Sequence, residues 1–319
     1  MSGNKLVIAN MYRAKNKTSF FAFHQALTRL SEFDIEFHAL WDDPEYYDEW
    51  TPKFDNLDCK IVSYTKEQLN EYCLNLGIEQ DYIDNKFSKF KAIYILLLAH
   101  YLRKIHKFDY YLIYDDDIII KEDIKEFKYA IKEKLPCLLI EPQNVSCDKV
   151  LFKTISNMYP VSIERYKHFN PHSVGFNAGF MGIRLELYDD FLEPKSFKQL
   201  LNFFNYRGIY DDSGKEITGP ERTGIDTQQQ SFFSIMNQIA VTKKPHILPY
   251  PKYFCCSNFG EHPTYGTINT ENEYEGWDVA MKSQIVHFIG HTVFNGKYYG
   301  KPKIYNQLVD EYLKENKLI

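Results

Sequence analysis

The chain has 319 residues, 44 % hydrophobic and 25 % charged, with 38 Lys and Arg against 43 Asp and Glu for a net charge of −5. These proportions exclude a disordered tail protein, a collagen and a disulfide miniprotein. With neither a basic excess nor a basic stripe, the chain does not have the make-up of a protein whose main partner is nucleic acid.

The first half alternates between the two periodicities of an α/β chain. Lys5 to Ala9 predicts a strand, Thr18 to Leu30 an amphipathic helix, and Ile35 to Trp41 a further strand closed by Asp42-Asp43-Pro44. Lys60 to Tyr64 predicts another short strand, followed by a helix over Lys66 to Leu76. A longer helix over Phe87 to Ile105, with Phe90, Ile93, Leu97, Ala99 and Leu102 as its apolar positions, delivers the chain into Tyr110 to Tyr114. That last run is too continuously apolar for a half-exposed strand, so it predicts a central strand of a covered, largely parallel sheet. In the second half, Pro136 to Ile140 and Gly179 to Leu187 predict strands, and Gly208 to Gly224 a surface loop or short hairpin. Asp226 to Ile239 predicts a helix, and Gln284 to Ile289 a last strand before a Gly- and Lys-rich tail. With no internal repeat, low-complexity block or linker, one domain with elaborations is the simplest organisation.

Aromatic residues make up 16 % of the chain. Their company of abundant Lys, Asn and Ile reads as AT-rich coding rather than as a sugar-stacking surface. Cys59, Cys73, Cys137, Cys147, Cys255 and Cys256 form no C-x-x-C pair and no zinc spacing, which predicts reduced thiols and a cytoplasmic protein. Leu6 to Ala9 is too short for the core of a secretory signal, and the longest apolar run, Ala92 to Leu102, is too short to span a bilayer, so no transmembrane segment is expected.

The segment richest in chemistry is Asp115-Asp116-Asp117, set between Tyr110-Tyr111-Leu112-Ile113-Tyr114 and Ile118-Ile119-Ile120. Three neighbouring carboxylates repel one another and raise each other's pKa unless something compensates them. A solvated acidic turn is one reading, but no Gly, Pro, Asn or Ser marks a turn here. A hard divalent cation such as Mg²⁺ or Mn²⁺ is the other. In extended backbone Asp115 and Asp117 would share a face, with Asp116 pointing elsewhere.

These residues resemble the D-x-D motif that follows a buried strand in the GT-A glycosyltransferases. The likeness is greatest to the retaining families represented by glycogenin, by bacterial lipopolysaccharide galactosyltransferases, and by yeast and plant galactosyl- and xylosyltransferases. Four elements recur in order: Ser88-Lys89 on the preceding helix, Asp115-Asp116-Asp117, Phe176-Asn177-Ala178-Gly179-Phe180-Met181, and Val286-His287-Phe288-Ile289-Gly290. The resemblance implies a GT-A type Rossmann-like domain over residues 1–319, its central mostly parallel sheet flanked by helices. Residues 1–121 would form the nucleotide-binding half and 122–319 the acceptor-side half.

It further implies transfer of a sugar from a nucleotide donor, a UDP-sugar, to a glycan, lipid or protein acceptor with retention. Asp115, Asp117 and His287 would be metal ligands; an imidazole ligand favours Mn²⁺, with Mg²⁺ as a substitute. Asn10, Tyr12, Lys89, Asp116, Asn177, Ala178, Gly179, Gly290 and Lys297 would contact substrate. Asp226 and Gln228 would lie beside the anomeric carbon, although Gln229 and Gln230 are equally placed by spacing, and Asp226 also suits a helix N-cap. For Lys89 and His287 the alternatives are a solvated helix residue and a satisfied strand-end histidine. The tail departs from the family pattern: Val293 stands where a diphosphate-binding lysine is expected, with Lys297 and Lys301-Pro302 following. An inverting transferase with Asp226 as general base is an alternative, as is a catalytically silent carbohydrate-binding protein of the same fold. A nucleotidyltransferase is disfavoured, because no Gly-rich phosphate loop follows Ala9.

Overall fold

The computed structural model describes residues 5–10, 17–40, 49–81, 83, 101–102, 104–105, 108, 110–141, 175–183, 209–210, 216–217, 246–248, 253–257, 283–289, 292–294, 297–299 and 303–319. Their strands are β1 (Lys5–Asn10), β2 (Asp34–Leu40), β3 (Lys60–Tyr64), β4 (Tyr110–Tyr114), β5 (Ile118–Ile120), β6 (Cys137–Glu141) and β7 (Gly175–Ile183). There follow β8 (Ile209–Tyr210), β9 (Glu216–Ile217), β10 (His246–Leu248), β11 (Tyr253–Ser257), β12 (Ile285–Ile289), β13 (Thr292–Phe294) and β14 (Lys297–Tyr299). The helices are α1 (Lys17–Arg29), α2 (Thr51–Asp55), α3 (Lys66–Asn75), α4 (Lys125–Lys132) and α5 (Lys303–Glu315).

A seven-stranded sheet in the order β10-β6-β7-β4-β1-β2-β3 forms the body. β4 is its middle strand, and all five of its residues are buried, as its apolar run predicts. Pairing is parallel throughout β4-β1-β2-β3 and between β10 and β6; β7 runs against both of its neighbours. A smaller sheet of order β11-β12-β5 receives the chain as it leaves β4. The passage from one sheet to the other is the acidic segment itself.

The aromatic residues are used inside. Phe23 of α1 stacks on Phe37 of β2 with ring centroids 4.1 Å apart, while Phe20 and Phe23 both meet Phe54 of α2 edge-on. Phe21 meets Tyr312 of α5 edge-on. Full burial of each such ring stabilises the fold by roughly 1.5–3 kcal/mol. α3 starts at a capping box, in which Thr65 accepts from the Gln68 amide and Gln68 accepts from the Thr65 amide. α4 and α5 each end on a lysine at positive φ, Lys134 at 52° and Lys317 at 57°. The following leucine then donates its amide back into the helix, Leu135 to Ala130 and Leu318 to Leu313.

Several expectations change. The strand predicted over Gly179 to Leu187 begins at Gly175, so the Asn-Ala-Gly segment lies within the strand; residues 184–187 lie outside the described residues. Gly208 to Gly224 does hold a short hairpin, as expected: β8–β9, paired Ile209 to Ile217 and Tyr210 to Glu216. The tail after β12 is the hairpin β13–β14 followed by α5. Tyr305, Val309 and Leu313 place α5 in the core by their spacing of four. Nearly all of the helix predicted over Phe87 to Ile105, and all of that over Asp226 to Ile239, lie outside the described residues. No helix among the described residues is long and apolar enough to cross a membrane.

Candidate metal centre

β4 runs between β1 and β7, and its last residues are held on both sides: Ala9 pairs with Ile113, and Phe180 with Tyr114. Asp115 then donates its amide to the Gly179 carbonyl at 2.8 Å, the last tie to the large sheet. Asp116 and Asp117 form a turn. On its far side the Asp117 carbonyl accepts from the Phe288 amide at 2.9 Å, and Ile118 pairs with His287 as β5 joins β12. The turn thus hangs between two sheets, with its backbone fixed at each end.

Extended backbone is therefore not what brings Asp115 and Asp117 together; the turn does. The two carboxylates and the His287 imidazole offer ligand atoms that all lie within 4.8 Å of one another. Nε2 of His287 is 3.0 Å from Oδ1 of Asp117 and 3.9 Å from Oδ2 of Asp115. Bonds of about 2.1–2.2 Å to one hard cation place neighbouring ligand atoms about 3 Å apart; Asp117 and His287 stand at that spacing and Asp115 lies wider, so the three residues could hold such a cation. Asp117 and His287 are buried, whereas the Asp115 side chain is 23 % exposed and opens the cluster to one side.

Gly179 makes the room. A Cβ at that position would lie 2.7 Å from Oδ2 of Asp115 and 2.8 Å from Nε2 of His287, and closer still to Cε1 of the ring. Glycine is needed there because the ligand side chains occupy the space that any other residue would fill. Two ionised carboxylates carry a charge of −2, which a divalent cation would balance.

The middle carboxylate turns away from this cluster. Asp116 is buried, and its Oδ2 accepts from the Thr18 hydroxyl of α1 at 3.2 Å. Its backbone carbonyl accepts from the Tyr305 hydroxyl of α5 at 2.6 Å. α1 also covers the open edge of β5. The Gln25 amide donates to the Ile118 carbonyl at 3.1 Å and accepts from the Ile120 amide at 2.8 Å. Arg29 donates to the Ile120 and Lys121 carbonyls. Edge groups of a buried strand need such partners. Gln25 donates to the Tyr114 hydroxyl as well, at 2.5 Å. Burial raises the pKa of that phenol above its ordinary value, Gln25 opposes the rise, and Asp116 and Asp117 add to it, so Tyr114 stays protonated.

Of the residues singled out in the sequence, Asp115, Asp117, His287 and Gly179 are thus brought together. Asn177 and Ala178 lie on β7 just before Gly179, and Asn10 closes β1, at the same end of the sheet as Asp115. Lys297 begins β14 opposite Phe294, and Val293 lies in β13. Tyr12, Lys89, Asp226, Gln228 and Gly290 lie outside the described residues. Thr18, Gln25 and Tyr305 were missed. The available signal for Gln25 was a polar residue in the middle of an otherwise apolar helical face.

No protein-family model matches the sequence, and no curated protein matches it significantly. Solved structures do. The bifunctional glycosyltransferase WbbM is similar over 97 % of this chain at 12 % identity and a TM-score of 0.50; this chain spans 50 % of that one. Mouse xyloside xylosyltransferase 1 is 15 % identical, with 89 % of this chain and 97 % of that chain covered and a TM-score of 0.47. The galactosyltransferase LgtC, solved with donor and acceptor sugar analogues, is 12 % identical, with 96 % and 95 % covered and a TM-score of 0.46. The chain has the GT-A fold: a mostly parallel sheet flanked by helices, with the Asp-x-Asp turn at the end of its middle strand.

Proposed function

We propose that the protein is a metal-dependent glycosyltransferase that moves a sugar from a nucleotide donor, a UDP-sugar, to a glycan, lipid or protein acceptor with retention of configuration. The observation that carries this reading is the convergence of Asp115, Asp117 and His287 around the space left by Gly179. Ligands in α/β sheets bind outside the carboxyl ends of the parallel strands, and this cluster lies at that end of β4.

In this reading Asp115, Asp117 and His287 hold Mn²⁺, with Mg²⁺ as a substitute. The cation would supply positive charge where a diphosphate leaves. Asn10 and Tyr12 would contact the base, Lys89 and Lys297 the phosphates or donor sugar, and Asn177, Ala178, Gly179 and Gly290 the donor sugar. Asp226 and Gln228 would be the residues beside the anomeric carbon. The free thiols of Cys59, Cys73 and Cys137 support a cytoplasmic setting.

The test is titration of UDP by calorimetry with and without Mn²⁺. The diphosphate completes the coordination of the ion, so each ligand tightens the other by the same factor. Equal UDP affinity in both conditions would overturn the donor-site reading. A screen of nucleotide sugars for released nucleoside diphosphate then identifies the donor.

A further inference from the structure

We propose that Tyr305, on the C-terminal helix, is a positioning residue for the metal-binding turn. It acts through Asp116, whose carboxylate locks the turn to α1. The proposal rests on the donor-site reading above and adds to it a role for residues remote in sequence.

The two metal-ligating aspartates flank Asp116, so the orientation of that one peptide sets the direction of both carboxylates. The Asp116 carbonyl accepts the Tyr305 hydroxyl at 2.6 Å across a separation of 189 residues. Tyr305 is fully buried, and its ring packs on Phe288, the residue after His287, at 5.5 Å between centroids. The same Phe288 donates its amide to the Asp117 carbonyl. One tyrosine therefore touches the strand that carries the third ligand and holds the peptide between the first two. From the other side the Thr18 hydroxyl donates to Asp116 Oδ2. α5 is itself seated on α1, where Lys17 pairs with Asp310. Two helices from opposite ends of the chain thus close on one residue of the turn.

Ligand geometry in metal sites is set by such outer contacts, and their loss typically costs about 10–100-fold in metal affinity. Tyr305→Phe removes only the hydroxyl and keeps the ring against Phe288. Mn²⁺ affinity, measured by calorimetry in the presence of UDP, should weaken by about tenfold. Tyr312→Phe is the matched control, since it removes a hydroxyl from the same helix that bonds His24 and not the turn. It should leave Mn²⁺ affinity within about twofold of the parent, the scatter expected of a remote site. A metal-free readout separates this proposal from the reading beneath it. Hydrogen exchange at the Phe288 amide, which bonds the Asp117 carbonyl, should accelerate in Tyr305→Phe and not in Tyr312→Phe. Unchanged exchange together with unchanged Mn²⁺ affinity in Tyr305→Phe, or equal losses in the two variants, would overturn the positioning role. If the parent protein binds no Mn²⁺ with UDP while the exchange difference persists, the donor-site reading falls and the hold of Tyr305 on the turn stands.

Discussion

Buried carboxylates meet a histidine at two places on the large sheet, and the two places behave differently. Near the starts of β1 and β3, Glu36 of β2 accepts from Lys60 at 2.5 Å, pairs with Lys5, and lies 3.0 Å from His38 Nε2. His38 Nδ1 in turn bonds the Tyr64 hydroxyl at 2.6 Å. Burial pushes the Glu36 carboxyl up, but hydrogen bonds from Lys5 and Lys60 outweigh it and hold the group at about 2. At the other end of the sheet, the turn after β4 brings the Asp115 and Asp117 carboxylates to the His287 imidazole. One cluster is bonded by lysines; the other sets two carboxylates and an imidazole beside the space that Gly179 leaves. A buried acid–histidine cluster bonded by lysines is thus a structural device, whereas one whose ligand atoms converge within 4.8 Å of one another is a candidate cation site.

The comparison can be broken most directly at the ligands. Asp115→Ala and Asp117→Ala should each lower Mn²⁺-dependent release of nucleoside diphosphate by about 100-fold or more, while metal-free melting temperature holds or rises as repulsion is relieved. Near-normal turnover in both variants would remove the metal assignment. Gly179→Ala should weaken Mn²⁺ binding by about tenfold or more, because its Cβ meets Asp115 and His287. It should also destabilise the fold by about 1–3 kcal/mol through overpacking. Gly182→Ala, whose Cβ would meet the Tyr110 ring, should cost similar stability in denaturant unfolding and leave Mn²⁺ binding alone.

At the other cluster, Glu36→Gln should lower stability at pH 7 by about 1–2 kcal/mol, an amount limited by the solvent exposure of the two lysines. A carboxyl held at about 2 against an ordinary 4.5 favours the folded state above pH 4.5 and loses that contribution as pH falls from there towards 2. Urea unfolding of parent and variant should therefore differ at pH 6 and converge only as pH falls to 2, with Mn²⁺ affinity the same in both. The smallest effect is expected at Lys134→Gly, where glycine relieves the positive φ of a helix end and should stabilise by about 0.5–1 kcal/mol. A matching rise in Mn²⁺ affinity would mean that the metal centre merely reports global stability.

Much of this architecture was legible in the sequence, for reasons that differ by element. Tyr110 to Tyr114 announced its burial because a central parallel strand is apolar on both faces. Asp115 and Asp117 stood out because carboxylates between apolar runs demand compensation. That the turn, rather than extended backbone, aligns them was hidden, since three isoleucines give no turn signal and only the pairing of β5 with β12 imposes it. α5 carried a readable pattern in Tyr305, Val309 and Leu313, but the lysines and glycines before it masked where it began. β13 and β14 flank Asn295-Gly296, a dipeptide favoured in hairpins, which the emphasis on lysines passed over. The contacts of Thr18 and Tyr305 to the turn had no signal, because bonds across 98 and 189 residues depend on packing that no local pattern encodes.

The chain's change of sheets at Asp115 to Asp117 also bears on when the centre comes into being. β4 can pair with β1 from the first third of the sequence, but the turn is complete only when β12 and α5, from the last tenth or so, have docked on it. Contacts of such long range are the slowest to form. Any affinity of the turn for a cation is then acquired at the end of folding. A nascent chain can carry both aspartates well before it can hold an ion with them.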